Sequence, residues 1–419
     1  MTRFAAFRAC AAALALAGAA TAAHALSTED FLNHLGVNTH LDGLTKSDPW
    51  NTDPAQVAAQ LSYLGVRLDR DWADSAAEGA VWKKVQDGWP LGRFWTSINE
   101  DSPAGQRADL RFNEQIVQRY PGLVYAMGGP NEEDDAYPQG LGATLADAAK
   151  VQAMLYAWAH PRGIPVSQME FGAGWTAANG WQGDYNPAQT GLHQPYTPGP
   201  ADFGGAHAYL SNPQQLPKTV LDQLRKLARL TTPGKPVAQT EVGAYQGTKI
   251  TPEIFGQYMV MGALDSAAAG DAAYIVYGLQ DSAPEETFGF YAYPSGQAHP
   301  AARDFHTLTT LLSSASGRYA PGQHPTFTPG SIDATFTSGQ TSHLCLQKPT
   351  GQYVIADWSE QLAGGAQHAV TDTIGFGRVF SSASVYDVEG GAAPVAQYKN
   401  ASRCTLRMTP NDTYLIVLE

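Results

Sequence analysis

Leu123-Val124-Tyr125-Ala126-Met127-Gly128-Gly129-Pro130-Asn131-Glu132 is a short apolar run that stops in an Asn-Glu pair. Val, Tyr and Met suit a buried extended strand, Gly-Gly-Pro interrupts it, and polar side chains follow at once. Pro236-Val237-Ala238-Gln239-Thr240-Glu241 repeats the arrangement farther along, again ending in a glutamate. Working outward, strand-like runs occur at 35–39, 65–68, 92–98, 123–127, 166–171, 203–208, 237–241 and 273–278. Amphipathic stretches at 54–64, 107–120, 143–159, 217–230, 252–269 and 301–314 separate many of them, several opened by Pro or by Asp/Thr caps. Eight strand-then-helix units predict an α/β fold closed into a parallel (β/α)8 TIM barrel. A doubly wound open sheet would place a Gly-rich turn after its first strand, and Gly36-Val37-Asn38-Thr39-His40 is not one.

Beyond Arg318 the helical period stops. Short alternating runs at 332–337, 342–347, 353–358, 378–386 and 413–418, divided by Gly/Pro/Ser-rich turns, predict a small C-terminal antiparallel β-sandwich. At the other end, Arg3 and Arg8 precede an apolar run, AAALALAGAA, and then Ala23-His24-Ala25, the pattern of a secretory leader cleaved near Leu26. The expected organisation is a leader at 1–25, a catalytic barrel at 26–317 and the sandwich at 318–419, in a protein that is secreted or periplasmic. Cys10 falls in the leader, which leaves Cys345 and Cys404; export makes a disulfide between them an expectation, with two buried thiols as the alternative.

The chain carries 39 Asp and Glu against 26 Lys and Arg, a net charge of −13 with no basic stripe, which argues against nucleic acid and anionic membrane as partners. No later stretch has the roughly 18 apolar residues of a spanning helix. With no H-E-x-x-H, no C-x-x-C and no Gly-rich phosphate loop ending in Lys-Ser or Lys-Thr, neither a metal nor a cofactor is expected.

In such a barrel the site is built from residues that follow the strands. Here these include Asn38 and His40, Arg67 and Asp69, Trp95 and Asn99, Asn131 and Glu132, Glu170, His207 and Tyr209, Glu241, and Tyr277 with Gln280. Strands four and seven face each other across a barrel of eight, so Glu132 and Glu241 can lie about 5 Å apart over a sugar, the spacing of a retaining glycosidase. Each has a plainer reading: Glu132 as a solvated acid beside Glu133, Asp134 and Asp135, and Glu241 as a salt-bridge partner of Arg67. Glu170 lies inside the fifth run, as an inward polar residue or a third active-site acid. The long loop at 172–200 offers Trp175, Trp181, Tyr185, His193 and Tyr196, which suit sugar stacking or the pinning of the loop.

The fourth-strand Asn131-Glu132 pair followed by the seventh-strand Glu241 resembles the glycoside hydrolase clan A superfamily, over roughly the first three quarters of the chain. More narrowly, Gly36-Val-Asn-Thr-His40, Gly129-Pro-Asn-Glu132, His207-Ala-Tyr209 and Tyr277-Gly-Leu-Gln-Asp281 are similar to bacterial secreted barrels of glycosidase type. The resemblance implies that Glu132 is the acid/base, Glu241 the nucleophile and Asn131 the donor to a sugar 2-hydroxyl. It also implies that Arg67 and Tyr209 support the nucleophile. His40, Trp95, His207, Trp175, Trp181 and Tyr277 complete the expected substrate contacts. Tyr277 stands where many clan members carry a Trp platform.

The function expected is a retaining hydrolase of an oligo- or polysaccharide, endo-acting in preference to exo. Two alternatives use the same barrel: a carbohydrate-binding protein without catalysis, and a transglycosylase using the same two carboxylates.

Overall fold

The computed structural model describes residues 23–41, 53–100, 102–132, 145–171, 199–210, 215–244, 246, 250–281, 287–314, 318–323, 327–362 and 368–419. Eight parallel strands form the expected barrel: β1 Leu35–Asn38, β2 Leu68–Trp72, β3 Arg93–Ile98, β4 Val124–Pro130, β5 Ser167–Phe171, β6 Phe203–Leu210, β7 Val237–Ala244 and β8 Ala273–Val276. They pair in the order β4-β3-β2-β1-β8-β7-β6-β5. The remaining seam, β4 to β5, is held by isolated bridges at Met127–Val166 and Asn131–Glu170.

Three of the helices begin where the chain offers both a capping side chain and a preset φ. Asp53 accepts from the Ala55 N–H ahead of the helix Pro54–Leu64, Ser102 from Gly105 ahead of Pro103–Arg119, and Thr251 from Ile254 ahead of Pro252–Ala268, each with Pro in the first turn. The helix Glu78–Gly88 is an addition to the predicted set.

The second strand corrects the sequence reading. Gly65, with φ 71°, is the left-handed cap that ends the preceding helix rather than the start of a strand. Strand β2 therefore begins only at Leu68 and runs Leu-Asp-Arg-Asp-Trp, too charged for its hydropathy to announce a buried strand. Arg67 is left at the opposite end of the barrel from the glutamates. It pairs with Glu29 at 2.8 Å, donates to Asn33 at 3.0 Å and donates to the Tyr319 carbonyl at 2.8 Å.

Trp95 is also displaced from its expected place. Strand β3 continues three residues beyond it, and the indole is fully buried inside the barrel among Leu68, Ala126, Ala238, Ala273 and Ile275. All five neighbours are small or aliphatic and leave room for one large ring, so Trp95 packs the barrel interior instead of touching a ligand.

The C-terminal region is a separate curled sheet, consistent with a β-sandwich, and it is mixed rather than purely antiparallel. Leu26–Ser27, from the start of the chain, adds a strand parallel to Ser342–Gln347, and Ala23–His24 pairs with Ser331–Ile332. The N-terminal segment thus ties the sheet to the barrel before β1 begins. Cys345 and Cys404 share the core of this sheet as free, buried thiols, so the expected disulfide gives way to its alternative. Burial pushes the Cys345 thiol up to about 11 and the Cys404 thiol up to about 12, which keeps both protonated and unreactive.

Candidate active site

The carboxyl ends of β2, β4, β5, β6 and β7 deliver Arg70, Asn131 with Glu132, Glu170, His207 with Tyr209, and Glu241 into one cluster. Arg70 is its hub. Nη1 donates to Glu241 Oε1 at 2.7 Å and to Asn38 Oδ1 at 2.9 Å, while Nη2 donates to Asn131 Oδ1 at 2.7 Å and to Glu170 Oε2 at 2.6 Å. The support that the resemblance assigned to Arg67 therefore comes from Arg70, one turn of the strand pleat beyond the misplaced boundary.

Glu241 has a second anchor, the Tyr209 hydroxyl, which donates to Oε2 at 2.5 Å. Burial and the Glu241 charge hold the Tyr209 phenol well above its ordinary pKa, so it stays a donor. Asn38 holds the hub in place: its Nδ2 donates to the Thr240 carbonyl at 3.1 Å while its oxygen takes Arg70. With Asn131 Oδ1 engaged by Arg70, the Asn131 amide NH2 is the group suited to meet a ligand, in keeping with its expected role as a donor.

Glu132 follows Pro130 and Asn131 at the β4–β5 seam. Its N–H donates to the Glu170 carbonyl at 2.9 Å, and its φ of 48° places it in the left-handed region that a side-chain-bearing residue seldom adopts. Strain of this kind costs of order 1–3 kcal/mol and persists where neighbours over-determine it. Its side chain remains one-third exposed. Oε1 lies 2.6 Å from His207 Nδ1, whose other carboxylate neighbours are Glu241 Oε2 at 3.6 Å and, from Nε2, Glu170 Oε2 at 3.7 Å.

Burial alone would make His207 a weak base, but the carboxylates of Glu241 and Glu132 outweigh it and push the imidazole up to about 10. His207 is therefore an imidazolium. Its charge, with help from Arg70, overcomes the burial of Glu132 and holds that carboxyl below its ordinary pKa. Burial alone would raise Glu132; it is a histidine whose charge the sequence does not display that reverses this.

An aromatic wall stands beside this cluster. His40 lies edge-on to Trp72 at 4.5 Å between ring centroids, and its Nε2 is 3.1 Å from the Tyr277 hydroxyl. Tyr277 in turn meets Tyr209 and Phe288 edge to face, each at 6.0 Å. Loss of water contact, with Arg70 nearby, pushes His40 down to about 3, so it stays a neutral imidazole able to donate or accept. His40 and Tyr277 thus lie where the sequence placed them; Phe288 joins them without a sequence signal beyond its aromatic character. Trp175 and Trp181, like Tyr185, His193 and Tyr196, lie outside the described residues, as do Glu133, Asp134 and Asp135.

Among the described residues, Glu132, His207 and Glu241 each bring one potential ligand atom within 4.8 Å of the others. The same distance bounds the gap between a Glu132 oxygen and a Glu241 oxygen. The Arg70 guanidinium, 2.7 Å from Glu241 Oε1, already places one positive charge beside this space and opposes a metal cation there.

No protein-family model matches the sequence, and no curated protein does. Solved structures do match. A family 39 glycoside hydrolase from the gut symbiont Bacteroides cellulosilyticus WH2 aligns over 94% of this chain and 82% of its own, with a TM-score of 0.61 and 13% identity. A glycoside hydrolase family 30 subfamily 8 xylanase from Clostridium acetobutylicum aligns over 95% and 97%, with a TM-score of 0.54 and 13% identity. An endo-β-1,6-glucanase aligns over 94% and 92%, with a TM-score of 0.51 and 11% identity. At these identities the likeness concerns the fold, and it extends past the barrel into the C-terminal sheet: the chain has the fold of these clan A glycoside hydrolases.

Proposed function

We propose that this protein is a glycoside hydrolase that cleaves an oligo- or polysaccharide by double displacement, with Glu241 as nucleophile and Glu132 as acid/base. The observation that carries the reading is the pair of glutamates itself: an oxygen of each lies within 4.8 Å of the other. Retaining enzymes hold their carboxyl groups about 5–5.5 Å apart, whereas inverting ones need about 6.5–9.5 Å to admit a water.

In the first step protonated Glu132 gives its proton to the glycosidic oxygen while a Glu241 oxygen attacks the anomeric carbon. The glycosidic C–O bond breaks and a glycosyl ester forms on Glu241. In the second step Glu132, now a carboxylate, takes a proton from water, the water oxygen attacks the anomeric carbon, and the ester bond returns its electron pair to Glu241. Arg70 and Tyr209 suit this cycle because both hold donors on the Glu241 carboxylate, whose charge departs and returns. The wall of His40, Trp72, Tyr277 and Phe288 offers rings for stacking against a sugar.

Endo action is the preferred mode, supported by the two neighbours described as a xylanase and an endo-β-1,6-glucanase. Export is inferred from the leader pattern. Cleavage near Leu26 would remove the strand Ala23–His24 and keep Leu26–Ser27 in the C-terminal sheet; N-terminal sequencing of protein recovered outside the cytoplasm tests this.

The deciding experiment is a panel of plant, fungal and bacterial polysaccharides offered to the purified protein, with Glu132→Gln and Glu241→Gln beside it. Product release lost in both variants, and a first product that keeps the anomeric configuration by NMR, supports the reading. Binding of a glycan by all three proteins with none cut would replace it with a non-catalytic carbohydrate-binding barrel. Longer products on adding an acceptor sugar would mark transglycosylation.

A further inference from the structure

Glu170 is a member of the cluster to which neither reaction step gives a role. It is fully buried, yet it sits on the two cations that the reacting glutamates share. Its Oε2 is 2.6 Å from Arg70 Nη2 and 3.7 Å from His207 Nε2, and Ser167 Oγ donates to its Oε1 at 3.2 Å. Among the described residues, Glu170 is the carboxylate that faces His207 Nε2, at 3.7 Å.

The flanking strands make room for this carboxylate. A Cβ at Gly128 on β4 would fall 2.6 Å from Glu170 Oε1, and one at Gly205 on β6 would fall 2.9 Å from Glu170 Cγ. A buried carboxylate is expensive unless paired and hydrogen-bonded. Gly128 thus leaves the space that the Glu170 carboxylate fills, while Gly205 is held to glycine first by the Gln168 carbonyl, 2.7 Å from its Cβ position.

Charge balance gives the reason. Arg70 comes from β2, Glu132 from the end of β4, Glu170 from β5, His207 and Tyr209 from β6, and Glu241 from β7. In the form competent for the first step Glu132 is protonated, so the Arg70 guanidinium and the His207 imidazolium face Glu241 and Glu170, two cations against two anions. Without Glu170 the same set carries an excess positive charge, and its protons leave more easily.

We propose that Glu170 is a positioning residue of this site: its carboxylate orients Arg70 and His207 between the reacting glutamates and balances their charge. The role rests on the glycosidase reading for its catalytic consequence, and its electrostatic part can be read without any substrate. Arg70 is held above its ordinary pKa by Glu170 and Glu241 despite burial, and Glu170 is held below its own by Arg70 and His207 despite burial.

The test follows the His207 ring by NMR in 15N-histidine-labelled wild type, Glu170→Gln and Glu170→Asp, from pH 5 to 11. Wild type is expected to hold a doubly protonated ring through neutral pH, with a titration midpoint that falls by about one unit or more in Glu170→Gln and by less in Glu170→Asp. In kinetics, Glu170→Gln is expected to move the basic limb of kcat/KM to lower pH and to reduce kcat about 10- to 100-fold with little change in KM. A merely structural glutamate would lower Tm and leave the midpoint in place. A folded Glu170→Gln whose midpoint matches wild type overturns the proposal, and so does a wild-type midpoint near the ordinary histidine value, however the variants fold. A shifted midpoint in a protein that cuts no glycan keeps the charge role and removes the glycosidase reading. Glycan cleavage with an unmoved midpoint does the reverse.

Discussion

His207 Nδ1 lies 2.6 Å from Glu132 Oε1, and this contact turns the proposed acid/base residue from a carboxyl raised by burial into one lowered by a cation. A general acid works only while protonated. Because His207 holds Glu132 below its ordinary pKa, the protonated fraction shrinks as pH rises through that lowered value. Activity should therefore peak on the acid side, with the basic limb of kcat/KM below the usual carboxylate range. Replacing His207 by Gln removes the cation, and the limb should move up by about one unit or more. A pH profile on any cleaved glycan measures both; a limb that stays put in His207→Gln would sink the assignment.

Arg70 and Arg67 separate by function. Arg70→Lys keeps the charge but loses the fork that spans Glu241, Asn131, Asn38 and Glu170, and should cut kcat/KM by about 100-fold or more. Arg67→Met leaves Glu29 buried without its partner, a loss worth about 3–5 kcal/mol of stability, and should leave kcat/KM of the folded protein near wild type. Denaturation curves and kinetics on the two variants suffice. Loss of catalysis in Arg67→Met with Arg70→Lys unaffected would restore the sequence reading.

That exchange of arginines illustrates what the chain discloses. Period and punctuation reveal the barrel because Pro and capping residues mark the helix starts, and because Glu132 and Glu241 each come after a short apolar run. Strand β2 defeats the same logic: its Leu-Asp-Arg-Asp-Trp looks like a loop, since its polar groups are satisfied by residues distant in sequence, Asp69 and Asp71 by the Thr39 hydroxyl and Arg70 by Glu170 and Glu241, while burial holds the Asp69 carboxyl well above its ordinary pKa. Moving the strand start to Gly65 drew Arg67 into the site by default. Trp95 eludes the same reading, because the residues that enclose its ring, Leu68, Ala126, Ala238, Ala273 and Ile275, come from other strands. The charge of His207 was invisible since it is set by three carboxylates from three other strands.

Two aromatic residues test the rim against the middle. Tyr277→Ala removes a ring that touches His40, Tyr209 and Phe288, and should raise KM about tenfold, in line with about 0.5–1.5 kcal/mol for an aromatic contact. Trp95→Ala opens a void inside the barrel and should cost about 3–5 kcal/mol of stability with KM unchanged. An unstable Tyr277→Ala or a KM defect in Trp95→Ala would reverse their places.

The two thiols make a plain chemical prediction. Both are buried and protonated in the folded chain, so a thiol-labelling reagent should leave Cys345 and Cys404 unmodified until a denaturant is added. Labelling of both on unfolding without a reductant, together with a Tm indifferent to dithiothreitol, is the expected outcome. Labelling that requires prior reduction would mean that a disulfide joins them.

The contact between barrel and C-terminal sheet carries its own pH dependence. Glu360 hydrogen-bonds with Asp265 on the helix Pro252–Ala268; burial together with that neighbour pushes Glu360 up to about 10, and burial raises Asp265 as well. A carboxyl that keeps its proton in the fold and loses it when unfolded favours the unfolded state as pH rises, so its contribution is intact below the unfolded pKa near 4.3 and is eroded from there upward toward about 10. Glu360→Gln keeps the hydrogen bond to Asp265 without needing a proton. It should match wild type near pH 4 and become the more stable protein as pH rises, by about 1–2 kcal/mol at pH 8 for a part-buried group. Thermal denaturation of both proteins across pH 4 to 9 measures the difference. A gap that is constant with pH would mean that Glu360 is already ionised in the native protein, and the interdomain hydrogen bond would then have to be drawn with the proton on Asp265.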